Sequence, residues 1–274
     1  MSNASHQRIY ECFLNQQNTI PLLLPEFIKS YAEMYAINRS HIFYTLLEKR
    51  YQIKTRNIRS FYLNPKYYFN ENIWKDIQEH ILQKNGLISS FSKSEKSQLN
   101  QAFIFFKEIN PSLHSLFFKV FKHSILLRNS TIKTSSSPHL LGLFILGESF
   151  FSLDPYRQVE YFVHELAHQE LFLLNTLDKL ATKETQYSLK YSPFAKKYRP
   201  PLGRMHAFFA LYRSLEFLLL EKLPFPNEYL EYFQDTYKSF TYDELTPYAQ
   251  KLLELWALKI NKMLQEKFKP EVYL

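Results

Sequence analysis

The sequence predicts a mainly α protein of the α+β class: a helical N-terminal half, short strands leading into a long central helix, and a helical C-terminal half. Three observations carry that expectation. Apolar residues recur at helical spacing at both ends of the chain, two short runs rich in Ile, Leu and Phe lie between them, and only 4 glycines serve 274 residues. Scarce glycine leaves few loops able to cradle phosphate, and neither a GxGxxG nor a P-loop pattern occurs, which argues against a nucleotide-binding α/β fold. A hydrophobic share of 46%, with 25 Phe and 20 Tyr, is enough for a substantial core in one large domain or two small ones.

Taken in order, Pro25 to Tyr51 places Phe27, Tyr31, Met34, Tyr35 and Ile37 at helical spacing, and Asn72 to Gln83 and Ser94 to Asn110 repeat the pattern. These segments read as core-facing helices, with His41 and His80 as ordinary helix residues. After Lys122 the pattern changes. "HSILLRNSTIKTS" and "HLLGLFILGESFF" are short, apolar and bounded by Ser, Pro and Gly, as strands are. Asp154-Pro155 then announces a helix to about Asn175, with Asp as N-cap and Pro in the first turn. "YSPFAKKYRPPLG" (Tyr191 to Gly203) reads as a proline-bearing loop. An apolar helix from Arg204 to Leu223 follows, and one or two helices close the chain from Tyr242 onward. The expected organisation is a helical region over 1–120 and a second region over 121–274 that holds the strands and the central helix, together forming one compact unit.

The formal charge is +8, but the basic residues are scattered rather than clustered, so a solvated surface is expected and nucleic acid is not the expected partner. Cys12 is the single cysteine, which rules out an intramolecular disulfide and a cysteine metal cluster. The polar start "MSNASHQRIYE" does not have the form of a signal peptide, and no apolar run reaches membrane-spanning length. A cytoplasmic protein without a membrane role is expected.

The chemistry concentrates in "VEYFVHELAHQEL". On a helix, residues i and i+4 project from one face, so His164 and His168 can share a metal ion with their ring nitrogens about 2 Å from it. Glu165, offset by about 100°, does not easily join them and is placed to act beside a metal-bound water or to orient another ligand. Phe162, Val163, Leu166, Ala167 and Leu171 are expected to seat the helix on a core. The candidate third ligand is His206, at the start of the later apolar helix, because an imidazole followed by "AFFAL" is costly to bury without a partner. Glu216, Glu184 and Glu170 are the carboxylate alternatives.

Beyond the bare motif, "SSSPHLLGLFIL", "VHELAHQELFLL" and "YSPFAKKYRPPLGRMHAFFALY" resemble, in order and spacing, the HExxH-motif family of 2-oxoglutarate-dependent peptide β-hydroxylases, over roughly Ile132 to Tyr212. The resemblance implies Fe(II) held by His164, His168 and His206, with 2-oxoglutarate as cosubstrate and a peptide or protein as substrate. It also implies an arginine for the distal carboxylate of the cosubstrate, since a guanidinium can pair with it through two parallel bonds. Arg199 is the first candidate, followed by Arg204 and Arg157. The family loop often carries an arginine where this chain has Ala195, and Lys196 or Lys197 would replace it only as point charges. Two alternatives stand beside this reading. In a zinc hydrolase of the zincin type, Zn²⁺ activates water, Glu165 is the general base and Glu216 comes forward as third ligand. The metzincin continuation is absent, since Leu171 and Leu174 stand where its Gly and His would be. In a divergent, non-catalytic member the same scaffold would serve binding alone.

Overall fold

The computed structural model describes residues 86–121, 123–137, 143–177 and 179–267. The helices expected at Pro25 to Tyr51 and Asn72 to Gln83, with Cys12, His41 and His80, lie outside the described residues. The protein is mainly α with a small sheet, in the α+β class. It divides into two compact units after Leu177. Within the first unit, aromatic packing ties the helix at Lys93–Ile109 to the motif helix.

The first unit runs through β1 (Leu87–Ser89), α1 (Lys93–Ile109), α2 (Pro111–Val120), β2 (His123–Arg128), β3 (Thr134–Ser135), β4 (Leu143–Gly147) and α3 (Pro155–Leu177). Ser92 caps α1 through a reciprocal capping box with Glu95, one turn of hydrogen bonding that lets the helix begin at Lys93. Asn110 ends that helix, and its side chain accepts from the Leu113 N–H at the start of α2, where Pro111 occupies the first turn. The sheet order is β1-β2-β4-β3, with β2 and β4 parallel and both outer strands antiparallel to their neighbours. All five residues of β4 are buried, as befits an inner strand. The expected run to Phe151 stops being strand at Gly147, because Glu148–Ser152 curls into a 3-10 turn.

Gly147 is where the sheet meets the edge strand. A Cβ built there would lie 1.9 Å from the Ile132 carbonyl oxygen, so only glycine admits this approach. The Gly147 N–H donates to the Lys133 carbonyl at 2.8 Å, and the Ser149 hydroxyl donates to the Ile132 carbonyl at 3.1 Å. Three contacts therefore fix the segment that enters β3.

As expected, Asp154 caps α3: its carboxylate accepts from the Arg157 N–H at 3.0 Å. The rotation of this helix about its axis is set by Phe162. Its ring lies 4.8 Å from Phe103 in a stacked pair, 5.1 Å from Phe117, 5.6 Å from Phe106, 5.7 Å from Phe150 and 5.8 Å from Phe144. Such a hub anchors one face of α3 in the core. Val163, Leu166, Ala167 and Leu171 are buried with it, as the sequence predicts.

The second unit holds β5 (Lys190–Ser192), β6 (Lys197–Arg199), α4 (Pro201–Leu220), α5 (Glu228–Lys238) and α6 (Pro247–Lys267). The segment expected as a loop is instead a two-stranded hairpin, paired from Lys190↔Arg199 to Ser192↔Lys197. Lys196 closes its turn in the left-handed region at φ 51°. The following helix starts at Pro201, ahead of the expected Arg204, because a proline is well tolerated in the first helical turn. α4 is buried on nearly all sides, with Phe208 stacked on Phe233 of α5 at 4.6 Å and Phe209 against Trp256 of α6 at 4.4 Å. No helix among the described residues is long and apolar enough to cross a membrane.

Candidate metal centre

The helical spacing of the motif sets the two histidines on one face of α3. His164 Nε2 and His168 Nε2 face each other at 3.1 Å, with the rings nearly perpendicular. With bonds of about 2.0–2.1 Å to a shared ion, that separation corresponds to a ligand angle of about 95–100°, which both four- and six-coordinate centres accept. Two imidazoles converging at this distance, with a carboxylate alongside, fit a first-row divalent ion such as Fe(II) or Zn²⁺. Among the described residues, His164, Glu165 and His168 form a group whose ligand atoms all lie within 4.8 Å of one another.

Glu165 comes closer to the imidazoles than its angular offset suggests. Its side chain is only 2% exposed, and one carboxylate oxygen accepts a hydrogen bond from Thr134 Oγ1 at 2.7 Å. Thr134 was not legible as a site residue, because its place depends on how β3 pairs with β4 (Thr134↔Leu146) and on the Gly147 approach.

The accessibility of α3 defines the shape of the centre. From Gln158 to Phe172 every residue is buried except Tyr161, His164, His168 and Phe172, which are half-buried. Their spacing of three, four and four makes one stripe along the helix. The Tyr161 ring centroid lies 6.1 Å from that of His164, and Phe172 stacks toward His168 at 6.5 Å. The histidines therefore open on the one accessible face, between two aromatic rings. Lys133, from the segment that also carries Thr134, sets its ammonium over the Tyr161 ring at 5.6 Å.

The other expected site residues belong to the second unit or to structural pairs. His206 lies in the first turns of α4, where burial, with the nearby Arg199 charge adding to it, pushes its imidazole down to about 3. It is thus neutral at physiological pH, the form a metal ligand requires. Arg199 is half-buried, donates to the Gly203 carbonyl at 3.3 Å, and has its own pKa lowered by burial. Arg204 is fully buried, with its guanidinium committed to Glu244 at 2.7 Å and to the Ser239 carbonyl, and stacked over Phe240. Arg157 pairs with Glu160 on α3. Of the alternative carboxylates, Glu216 is held by Tyr212, Arg213 and Lys259, while Glu184 sits exposed in a turn and Glu170 is buried on α3. No protein-family model matches the chain, and no curated protein is significantly similar to it.

Proposed function

We propose that this protein is a metal-dependent enzyme acting on a peptide or protein, with its ion held by His164 and His168, and that the chemistry is Fe(II)- and 2-oxoglutarate-dependent hydroxylation. The observation that carries the metal assignment is the 3.1 Å approach of the two Nε2 atoms on the accessible stripe of α3. The choice of iron rests on the resemblance of the HELAH and SPFAKKYRPPLGRMH segments to the peptide β-hydroxylase family.

Iron, when bound, supplies activation of dioxygen at positions the protein leaves open. The chain's own residues do the rest in this reading. His164 and His168 would offer their paired Nε2 atoms to the ion, and the family resemblance assigns the third donor to His206, whose imidazole burial keeps neutral. Glu165, fixed by Thr134, holds its carboxyl group beside the ligand nitrogens and orients what binds there. Arg199 is the cation for the distal carboxylate of the cosubstrate, since Arg204 is spent on Glu244. The fixed position and burial of Glu165 favour a second reading as well: a zinc hydrolase in which this carboxylate takes the proton of the bound water.

The full chain, reconstituted anaerobically with Fe(II) and then supplied with dioxygen, is expected to consume 2-oxoglutarate, and Glu165→Gln is expected to retain part of that turnover. Tightly held zinc with peptide cleavage that Glu165→Gln abolishes would replace the oxygenase reading with the hydrolase one.

A further inference from the structure

The stripe on α3 has unlike ends. Phe172 at one end offers only an apolar ring, whereas Tyr161 at the other carries the Lys133 ammonium above it. Tyr161 stands one helical turn before His164, on the same face. The backbone that carries Lys133 is held in place. Its carbonyl accepts from the Gly147 N–H, its predecessor Ile132 is pressed against the Gly147 Cα position, and its successor Thr134 is tied to Glu165. One short backbone segment thus sends a hydroxyl to the motif glutamate and a cation to the end of the histidine stripe. Buried on the other side of the same turn, Glu160 is paired with Arg157.

We propose that Lys133 and Tyr161 form a carboxylate subsite of the metal centre: a ligand lying along the stripe places a carboxylate against the Lys133 ammonium and the Tyr161 ring edge. A cation held over an aromatic face keeps its outward N–H groups for a further acceptor, and a charge-assisted bond from it is among the stronger polar contacts available. A point charge on a flexible stem fits a carboxylate approached from one side, without the fork a guanidinium needs. The inference rests on the metal reading above. Within that reading Arg199 serves the cosubstrate, so Lys133 takes an acidic side chain of the peptide, which narrows the substrate class to sequences with Asp or Glu near the modified residue. The same chemistry would also accept the distal carboxylate of 2-oxoglutarate.

The test uses the full chain loaded with Co(II) under anaerobic conditions. Two calorimetric arms are run on wild type, Lys133→Met and Lys133→Arg: 2-oxoglutarate against 2-oxobutyrate, and a degenerate decapeptide library with one fixed Glu against its Gln counterpart. Lys133 is exposed, so Lys133→Met should fold as wild type does and bind Co(II) unchanged. Wild type is expected to favour the carboxylate-bearing ligand by about tenfold or more in one arm, and Lys133→Met to erase that preference while Lys133→Arg keeps most of it. The arm that responds identifies whether the carboxylate belongs to the peptide or to the cosubstrate. A preference that survives in Lys133→Met, or no preference in wild type in either arm, overturns the subsite. Failure of the metal reading itself would appear separately, as Co(II) affinity indifferent to His164→Ala and His168→Ala.

Discussion

Thr134 makes one hydrogen bond to the site, and that bond fixes the carboxyl group beside the histidines. Replacing it with the isosteric Thr134→Val removes the donor to Glu165 without opening a cavity, and leaves a buried carboxylate short of a partner. The expected result is a loss of turnover of about 10- to 100-fold, with an altered pH–rate profile and metal affinity reduced by less than that factor. Metal titration beside a pH–rate profile checks this, and an unchanged profile would reduce Thr134 to a packing residue. At this scale the sequence showed the histidine pair plainly, because i and i+4 share a helix face whatever surrounds them. Tyr161 and Phe172 were equally within reach, standing three residues before His164 and four after His168. Thr134 and Lys133 were not, since their places follow from strand pairing and from a single glycine.

Among the elements, β4 and α3 do the positioning. Gly147 admits the Ile132 carbonyl, and Gly147→Ala would drive a methyl group into backbone that has no room to yield. The expected outcome is a loss of about 1–3 kcal/mol in stability together with weaker metal binding, as β3 and Thr134 shift away from α3. Thermal unfolding and metal titration of the same variant check the pairing of the two effects. Normal metal affinity in a destabilised Gly147→Ala protein would show that β3 does not govern the centre. Phe162→Ala should cost about 3–5 kcal/mol, because one ring contacts five others. The strands before the motif and the capped helix were legible from composition and from Asp154-Pro155. The hairpin at Lys190–Arg199 was hidden by its prolines, which read as a loop, while the actual turn runs through Pro193 to a left-handed Lys196. The early start of α4 was hidden for the same reason, with Pro201 serving as a helix start.

For the molecule as a whole, the first unit holds the histidine pair and the second buries an ion pair between Arg204 and Glu244. Burial alone would raise the Glu244 carboxyl. Its hydrogen bond and charge interaction with Arg204, the Thr241 N–H and the Lys190 ammonium instead hold it below the ordinary 4.5. A lowered folded pKa means the unfolded chain binds the proton more readily, so this contribution is fully present above about 4.5 and is lost as the pH falls through the lowered value. Glu244→Ala should destabilise the protein by about 3–5 kcal/mol at neutral pH by leaving Arg204 buried and unpaired. Urea unfolding at pH 7 and at pH 4 checks it, and the difference from wild type should shrink at the lower pH. An equal difference at both would remove the charge from the explanation. The sequence offered Arg204 as a candidate for cosubstrate binding, and only the fold shows its guanidinium committed to Glu244, forty residues on.

The central claim is that His164 and His168 hold a metal ion together. The most direct measurement is titration of the metal-free full chain with Zn²⁺ and, anaerobically, with Fe(II), in wild type, His164→Ala and His168→Ala, with circular dichroism to confirm that each variant folds. One ion per chain in wild type, and affinity weakened in each variant by more than the roughly 10- to 100-fold expected of an outer-shell partner, is the predicted result. Wild-type affinity in either folded variant, or no binding in wild type, would contradict it.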